Sequence, residues 1–320
     1  MKYIGIDIGA TNLKAGLVDE DGQILTTLKM KIAQIEDPEA LACTMAKMTV
    51  ELAETAGVPL ADIFSVGVGT PGVVEIRSGA LLYSCNLPFR HVPLRRLFHR
   101  HLNMPLYLEN DGNCAAVGEY FAGAGRSSKR FVVITLGTGI GGGIIHNGKI
   151  YHGSNGMAGE VGHMSIALDG EPCPCGRRGC WERYASASAL KRMTQRALEK
   201  NPAGILRQVV DGNRGHISGQ SAFMAARLGD PVGKQICDEY VRHLSVGIVN
   251  LVNIFQPDTL AIAGGVSNER DEQLLLPVQK LVAQYSIPCA PEKMTRVVRA
   301  ELGSNAGIIG AALLGKRKRV

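Results

Sequence analysis

Three apolar strands, each followed at once by a glycine-rich turn, recur along the chain. Their sequences are YIGIDIGATN (3–12), FVVITLGTGIGGG (131–143) and LAIAGGVSN (260–268). Such a turn exposes backbone N–H groups that can surround a phosphate, and Asp7, on the first strand, is placed to meet Mg²⁺ through water. Because the first two units lie about 130 residues apart and the third repeats the plan, the sequence predicts an internally duplicated α/β fold that holds a phosphate between its halves.

Each turn taken alone has a simpler interpretation, a plain connection from a strand to a helix. None of the three matches the lysine-bearing phosphate loop, because GTGIGGG lacks the Lys-Ser/Thr ending. None matches the dinucleotide fingerprint G-x-G-x-x-G with its acidic partner either. A single turn therefore indicates little, and the prediction rests on the repetition.

The length of 320 residues is enough for a large core and predicts two domains rather than one. Apolar residues make up 45% and charged residues 20%, which is ordinary for a soluble chain. No apolar run reaches the roughly 20 residues of a membrane span, and the N-terminal MKYIGIDIG is interrupted by Asp7 and too short for a signal-peptide core. We therefore expect a cytoplasmic protein without a membrane partner.

The formal net charge of +6 suits an anionic ligand. Much of that charge lies in GKRKRV (315–320), where a solvated tail is the simpler interpretation. The charge is therefore only weak support for nucleic-acid binding, and we expect no nucleic-acid partner.

Three of the eight cysteines stand within EPCPCGRRGCWE (171–182), and a histidine precedes them by ten residues. The candidate metal ligands are His163, Cys173, Cys175 and Cys180. Three thiolates and one imidazole form a complete tetrahedral set for a structural Zn²⁺. In a reducing compartment such a cluster indicates a metal or catalysis before a disulfide. Free thiols in a surface loop are the alternative, since the spacing is shorter than that of a common zinc finger.

Two glutamates flank this cluster. Glu160 lies three residues before His163, and Glu182 lies two residues after Cys180. A metal that fixes both ends of the segment would also hold the two carboxylates close together, where they suit the hydroxyl groups of a polyol. The spacing is equally compatible with two solvated surface charges.

A polar run follows another apolar strand in LYLENDGN (106–113). We expect the strand to end at Glu109 and a helix to begin near Cys114, with Asp111 at their junction, where an α/β fold binds its ligands. Capping alone explains an Asp or Asn before a helix. Because capping needs one such residue and this run offers three behind a glutamate, the pattern favours a functional carboxylate.

Six motifs in this order, DIGATN, ENDGN, LGTGIGGG, GEVGH, CPCGRRGCWE and AGGVSN, resemble those of the ROK family. That family comprises bacterial sugar kinases and sequence-related repressors, and the similarity is greatest to its glucokinases, which phosphorylate glucose with ATP. The resemblance implies the actin/Hsp70/hexokinase type of fold, in which two ribonuclease-H-like α/β domains surround an interdomain cleft. It also implies ATP, Mg²⁺, a hexose and a structural Zn²⁺ as ligands.

The resemblance also implies roles for individual residues, with Asp111 as the catalytic base. The implied sugar ligands are Gly72, Asn86, Asn110, Asp111, Glu160, His163 and Glu182. Besides Asp7, the implied nucleotide-binding residues are Gly9, Thr11, Asn12, Thr138, Gly139, Gly264 and Gly265. The implied zinc ligands are His163, Cys173, Cys175 and Cys180, and His163 would bond sugar and zinc through different ring nitrogens.

The chain departs from the family pattern at two positions. Ala10 replaces a glycine of the first loop, and Gly112 stands where alanine is common. Ala10 is conservative if its φ is negative, whereas a turn that needs a positive φ would weaken nucleotide binding.

We predict a small domain from residues 1–112 and 303–320, and a large domain from residues 113–302 that holds the zinc loop. Within the large domain, helices are expected at 187–199 and 231–255. The resemblance implies that the protein forms a homodimer or a homotetramer.

The family leaves two alternatives open. Kinases for N-acetylmannosamine, N-acetylglucosamine, allose and fructose share the same motifs, so these motifs do not determine the preferred hexose. A repressor of the family senses sugar with the same fold and carries a winged helix-turn-helix ahead of the first glycine loop, for which we expect no room before Asp7. Asp111 and both phosphate loops favour a kinase over such a sugar sensor without kinase activity.

Overall fold

The computed structural model describes residues 1–9, 11–32, 35, 37–84, 87 and 89–316. The strands are β1 (Lys2–Ile8), β2 (Asn12–Asp19), β3 (Ile24–Lys31), β4 (Ile63–Thr70), β5 (Val73–Glu75), β6 (Ala80–Tyr83), β7 (Arg90–Val92), β8 (Leu106–Asn110), β9 (Arg130–Leu136), β10 (Ile140–His146), β11 (Lys149–Ile150), β12 (Thr259–Ala263) and β13 (Arg296–Arg299).

The helices are α1 (Pro38–Thr55), α2 (Leu94–Phe98), α3 (Asp111–Ala122), α4 (Glu182–Ala185), α5 (Ala187–Lys200), α6 (Ile205–Val209), α7 (Ser221–Arg227), α8 (Pro231–Phe255), α9 (Leu275–Tyr285) and α10 (Ala306–Leu313). Among the described residues, none of these helices combines the length and the apolar composition that crossing a membrane requires.

The chain divides into two compact units. The first contains residues 1–133, 143–159 and 301–320, and the second contains residues 134–142 and 160–300. Residues 113–133 and 143–159 thus join the segments that we assigned to the small domain. The domain map drawn from the sequence stays a prediction.

The first sheet has the strand order β3-β2-β1-β4-β8. Strand β2 pairs antiparallel with β1 and β3, whereas β1, β4 and β8 run parallel. The carboxyl ends of the three parallel strands therefore meet at one edge of the sheet. The register aligns Asp7, Gly69 and Glu109 in one row near that edge.

Strand β1 shows why this sheet is covered on both faces. Alternate side chains of a strand point to opposite faces, and Ile4, Ile6 and Ile8 lie in a buried core with residues of α1. The residues between them face α10, because Gly5 approaches the backbone of that helix and a side chain added at Gly307 would meet the Asp7 carboxylate. Asp7, near the carboxyl end of β1, therefore lies on the face of the sheet that α10 covers.

Helix α10 packs against β4 and α3 through backbone contacts. A Cβ at Gly67 of β4 would overlap the carbonyl oxygen of Ala311, and a Cβ at Gly310 would overlap the carbonyl oxygen of Cys114 in α3. Only glycine permits so close an approach. Helix α10, the last of the helices described above, therefore packs against the sheet that contains β1, the first strand.

The second sheet has the order β11-β10-β9-β12-β13, and the short strands β5, β6 and β7 form a third sheet. In the second unit, α8 begins after Asp230, whose carboxylate accepts the N–H groups of Val232 at 2.8 Å and Gly233 at 3.0 Å. Ser186 caps α5 in the same manner. Both helices occupy the segments in which the sequence predicted helices.

Replacing Gly67 by alanine tests the close packing of α10. The added methyl group meets the Ala311 carbonyl, so we expect Gly67→Ala to lower the free energy of unfolding by about 3 kcal/mol. Urea unfolding followed by circular dichroism measures this change. Gly137→Ala is the control, because a Cβ there has open space around it. Equal stability of the two variants would show that α10 can move away at no cost.

Candidate functional site

Asn110 caps helix α3, which begins at Asp111 and not near Cys114 as the sequence analysis predicted. The Asn110 Oδ1 accepts the N–H groups of Gly112 at 2.8 Å and Asn113 at 3.3 Å. These bonds satisfy N–H groups that a helix start otherwise leaves without partners. The Asp111 Oδ1 accepts the same Gly112 N–H at 2.9 Å. Asn110 therefore suffices as the cap, and Asp111 adds a second carboxyl-group acceptor to one of its donors.

Asp111 lies at the carboxyl edge of the first sheet with Asp7. Asp111 is exposed as a whole residue, yet the surrounding protein desolvates its carboxyl group and thereby raises the pKa of Asp111. Desolvation also raises the pKa of Asp7, and the negative charge of Asp111 adds to that shift. Two carboxylates that repel each other favour a cation between or beside them, so the pair fits Mg²⁺.

The first glycine turn is closed by its own hydrogen bonds. The Gly9 N–H donates to the Asn12 carbonyl at 3.0 Å, and the Asn12 side-chain amide donates to the Thr11 hydroxyl at 2.7 Å. The Gly9 N–H is thus engaged within the turn. Ala10, the residue that departs from the family pattern, lies outside the described residues.

Gly72 is the predicted sugar-binding position that contacts the cap residue. Its carbonyl accepts the Asn110 Nδ2 at 3.1 Å, and its φ of +106° is in the region that favours glycine. A Cβ there would overlap the carbonyl oxygen of Tyr83. The contact ties the segment after β4 to the start of α3. Asn86, another predicted sugar ligand, lies outside the described residues.

The predicted zinc ligands come together in the second unit. Their ligand atoms all lie within 4.8 Å of one another. The Cys173 Sγ is 3.7 Å from the His163 Nδ1, and the Cys175 Sγ is 3.5 Å from the Cys180 Sγ. A zinc–sulfur bond of about 2.3 Å in a tetrahedron puts neighbouring sulfurs about 3.8 Å apart. The four side chains therefore fit a Zn²⁺ ion without rearrangement of the backbone.

The thiols of this cluster differ in acidity. The backbone N–H of Arg177 lowers the pKa of Cys175 to about 6, whereas burial raises the pKa of Cys173 to about 12. A buried thiol of this kind ionises when it binds a metal. Metal binding by the cluster is therefore expected to release protons.

Glu182 lies between the cluster and the second glycine turn. Its Oε1 is 3.3 Å from the Cys173 Sγ and 3.8 Å from the His163 Nδ1. A Cβ added at Gly139 would lie 2.5 Å from the Glu182 Oε2. Glu160 is exposed and shares a short turn with His163, whose N–H donates to the Glu160 carbonyl at 3.1 Å. Both predicted glutamates thus adjoin His163.

Trp181 anchors the segment that carries Cys180 and Glu182. The ring is fully buried, and its Nε1 donates to the His243 carbonyl of α8 at 2.9 Å. A Cβ at Gly247 of the same helix would overlap the ring. Trp181 was not among the predicted site residues, although its position directly between Cys180 and Glu182 in the sequence could have indicated an anchor.

The second and third glycine turns lie together in the second unit. A Cβ at Gly264, whose φ is +89°, would lie 2.5 Å from the carbonyl oxygen of Leu136, the last residue of β9. The turn with Thr138 and Gly139 follows directly after Leu136. A Cβ at Gly265 would border open space. The residues predicted for the second phosphate loop and the adenosine loop are therefore neighbours.

One partner of the α3 turn was absent from the sequence analysis. The His152 Nε2 lies 2.7 Å from the Glu109 Oε2, although the two residues are 43 positions apart. A buried glutamate indicates that a donor is near. The sequence offers no means of choosing that donor among eight histidines and 35 lysines and arginines.

The ROK family pattern matches residues 3–318. A glucokinase of Streptomyces coelicolor is 36% identical over 315 residues, which cover 98% of this chain and 97% of that protein. A putative xylose repressor of Caldicellulosiruptor sp. is 33% identical over 267 residues, which cover 82% of this chain and 66% of the repressor.

Among solved structures, a ROK family glucokinase from Streptomyces griseus in complex with glucose and AMPPNP is similar with a TM-score of 0.80. The two sequences are 36% identical, and the match covers 99% of this chain and 100% of the other. This similarity confirms the predicted fold class, an α/β fold of the actin/Hsp70/hexokinase type. Because the family pattern spans almost the whole chain, the chain belongs to the ROK family.

Proposed function

We propose that this protein is an ATP-dependent sugar kinase that transfers the γ-phosphoryl group of ATP to a hydroxyl of a hexose, and that the hexose is glucose. The observation that carries this proposal is Asp111. It stands near Asp7 at the carboxyl edge of a parallel sheet, and although its Oδ1 shares the Gly112 N–H, the cap is already supplied by Asn110. Similarity over the full chain to a protein called glucokinase supports the same activity.

Asp111 is the general base of the proposed reaction. A sugar hydroxyl is a poor nucleophile at neutral pH, so a carboxylate must accept its proton as the oxygen–phosphorus bond forms. The proton passes to the Asp111 carboxylate and the electron pair of the bridging bond leaves with ADP. The raised pKa of Asp111 brings the carboxyl nearer to neutral pH, which favours this transfer.

The nucleotide is assigned to the three glycine turns. Thr138, Gly139 and the Gly264–Gly265 pair adjoin one another in the second unit, where the open space beside Gly265 suits an adenosine. Asp7, Gly9, Thr11 and Asn12 are assigned to the phosphate end. Mg²⁺ bound with ATP supplies positive charge to the phosphate oxygens, and the role of Asp7 is to orient that ion through water.

The sugar is assigned to Glu160, His163 and Glu182 in the second unit, with Gly72, Asn86 and Asn110 in the first. Zn²⁺ at His163, Cys173, Cys175 and Cys180 cross-links the loop that carries these glutamates. Because Glu182 contacts Cys173 and adjoins His163, the cross-link fixes its carboxylate relative to the imidazole. The proposed metal thus organises the sugar site without touching the reacting atoms.

Glucose is proposed on the strength of the relatives. The Streptomyces coelicolor relative is named a glucokinase, and the Streptomyces griseus structure contains glucose. Another hexose or an N-acetylhexosamine is the alternative substrate, because a polar pocket can change its preference by single substitutions. The expected assembly into a homodimer or homotetramer stays a prediction.

A sugar sensor without kinase activity is the second candidate function. The observation that favours it is the 33% identity to a putative xylose repressor over 82% of this chain. Such a protein needs to bind sugar, whereas it needs neither a base nor a phosphate site. Sugar-dependent release of ADP separates the two functions.

Replacing the proposed base tests the chemistry. Asp111→Asn keeps the size of the side chain and removes the proton acceptor, so we expect kcat to fall about 10²- to 10⁴-fold. Asp62→Asn, at an exposed aspartate of the same unit, is the control. ADP release with ATP and Mg²⁺, measured against a panel of hexoses and N-acetylhexosamines, gives the rates and names the substrate. Full activity of Asp111→Asn would refute this role.

The pH dependence of kcat/KM, which reports groups of the free enzyme, tests the state of Asp111. Only the ionised carboxylate accepts a proton, so kcat/KM is expected to fall as the pH decreases through the pKa of Asp111. Desolvation raises that pKa, so the acid limb should lie above the range that is usual for aspartate. A profile that stays flat down to the ordinary aspartate range would contradict the environment described for Asp111.

Removing zinc tests the organisation of the sugar site. Metal analysis is expected to find one zinc per chain, and chelation should raise the KM for the sugar at least about tenfold. The emission of Trp181, the single tryptophan of the sequence, should shift to longer wavelength as its segment loosens. Cys175→Ser should reproduce both effects. The exposed Cys289 lies outside the cluster, and Cys289→Ser should reproduce neither; unchanged kinetics of verified zinc-free protein would refute the role of zinc.

A further inference from the structure

The turn that carries Asp111 rests on a buried carboxylate to which the proposed chemistry gives no part. Glu109 is 4% exposed and lies two residues before Asp111, as the next-to-last residue of β8. A buried charge of this kind is costly unless donors surround it. The arrangement of its donors shows what the carboxylate holds in place.

Both oxygens of Glu109 are occupied. Oε1 accepts the backbone N–H of Asn110 at 3.0 Å and the side-chain amide of Asn113 at 3.0 Å. The Oε2 lies 2.7 Å from the His152 Nε2, within hydrogen-bond distance. When the carboxylate is ionised it only accepts, and the imidazole is then the donor of this bond.

These bonds grip the chain on both sides of Asp111. The bond to Asn110 fixes the peptide group just before the proposed base, and the bond to Asn113 fixes the first turn of α3 just after it. Gly69 lies next to Glu109 in the same row of the sheet, and a Cβ at Gly69 would be 3.9 Å from the Asp111 Cα. The turn thus packs against the sheet at ordinary van der Waals distance. A small shift of Glu109 would therefore move Asp111.

His152 is the first residue of a loop that is closed by a backbone hydrogen bond. Its carbonyl accepts the Ala158 N–H at 3.1 Å, which closes the loop of residues 152–158. The imidazole is 27% exposed, so it lies at the border between this loop and the buried Glu109. The backbone of His152 thus closes the loop of residues 152–158, while its ring contacts Glu109 at the end of β8.

We propose that Glu109 and His152 are positioning residues for phosphoryl transfer, which hold the Asn110–Asp111 turn in the geometry the base needs. This proposal rests on the proposed kinase function. Neither residue touches the reacting atoms. A turn held by several hydrogen bonds varies little in position, and a displacement of about 1 Å at a reacting group costs about 10²-fold in rate.

The protein contains a second histidine–glutamate pair, at an exposed site, that serves as a control. His101 Nε2 lies 2.8 Å from the Glu39 Oε1, with side chains 29% and 44% exposed. The geometry of this hydrogen bond is close to that of the His152–Glu109 bond, but its glutamate is far more exposed. Glu39 also pairs with Arg100 at 3.1 Å. Loss of the His101 bond therefore reports what removing a histidine–glutamate hydrogen bond does away from the proposed site.

The kinetic test compares His152→Ala, His152→Gln and His101→Ala. We expect His152→Ala to lower kcat about 10- to 100-fold, to raise the KM for the sugar through Asn110, and to leave the KM for ATP unchanged. His152→Gln retains an amide donor toward Glu109 and should recover most of the rate. A loss of folded protein alone would lower kcat in both His152 variants and leave both KM values unchanged, and that result would overturn the proposal.

Amide hydrogen exchange tests the same contact without any substrate. In His152→Ala the peptide that covers residues 106–116 should exchange faster, while it should be unchanged in His101→Ala. Unchanged exchange in His152→Ala would overturn the proposal, and so would faster exchange with an unaltered kcat and sugar KM. If the wild-type protein phosphorylates no sugar, the proposed function fails, and the exchange result still decides whether His152 holds this turn.

Discussion

The direct contact between the backbones of α10, the first sheet and α3 is the constraint on which the first unit depends. Glycines at Gly67 and Gly310 let three layers approach with no side chain between them. This approach holds α3, whose first residue Asp111 directly follows β8, near the carboxyl edge of the sheet, where the charges of Asp7 and Asp111 interact. Larger residues at these positions would separate the layers and weaken the packing that supports α3.

The second unit positions its candidate site residues by other means. Its loop of residues 160–182 has few long elements, and side-chain contacts take their place. Four ligands gather within bonding range of one ion, and the buried ring of Trp181 ties their far end to α8. One unit thus positions its carboxylate through packed backbones, and the other through a cross-link and an aromatic anchor.

Local patterns in the sequence predicted the parts that are local in the structure. The apolar strands, the glycine turns, helices α5 and α8 and the grouping of the four zinc ligands follow from short-range spacing. The start of α3 was expected near Cys114, because nothing in the sequence distinguished Asn110 as the cap from its polar neighbours. The contacts of Glu109 with His152 and of Trp181 with Gly247 join distant positions. No spacing rule selects such partners.

The position of α10 in the chain also bears on how the molecule is made. Its first residue follows the start of β1 by roughly 300 residues, so during synthesis the first sheet waits for a partner that has not yet been translated. At about 5 to 20 residues per second that delay is roughly 15 to 60 s. The nascent chain therefore exposes the α10 face of its earliest sheet to solvent for the whole time in which the second unit is synthesised.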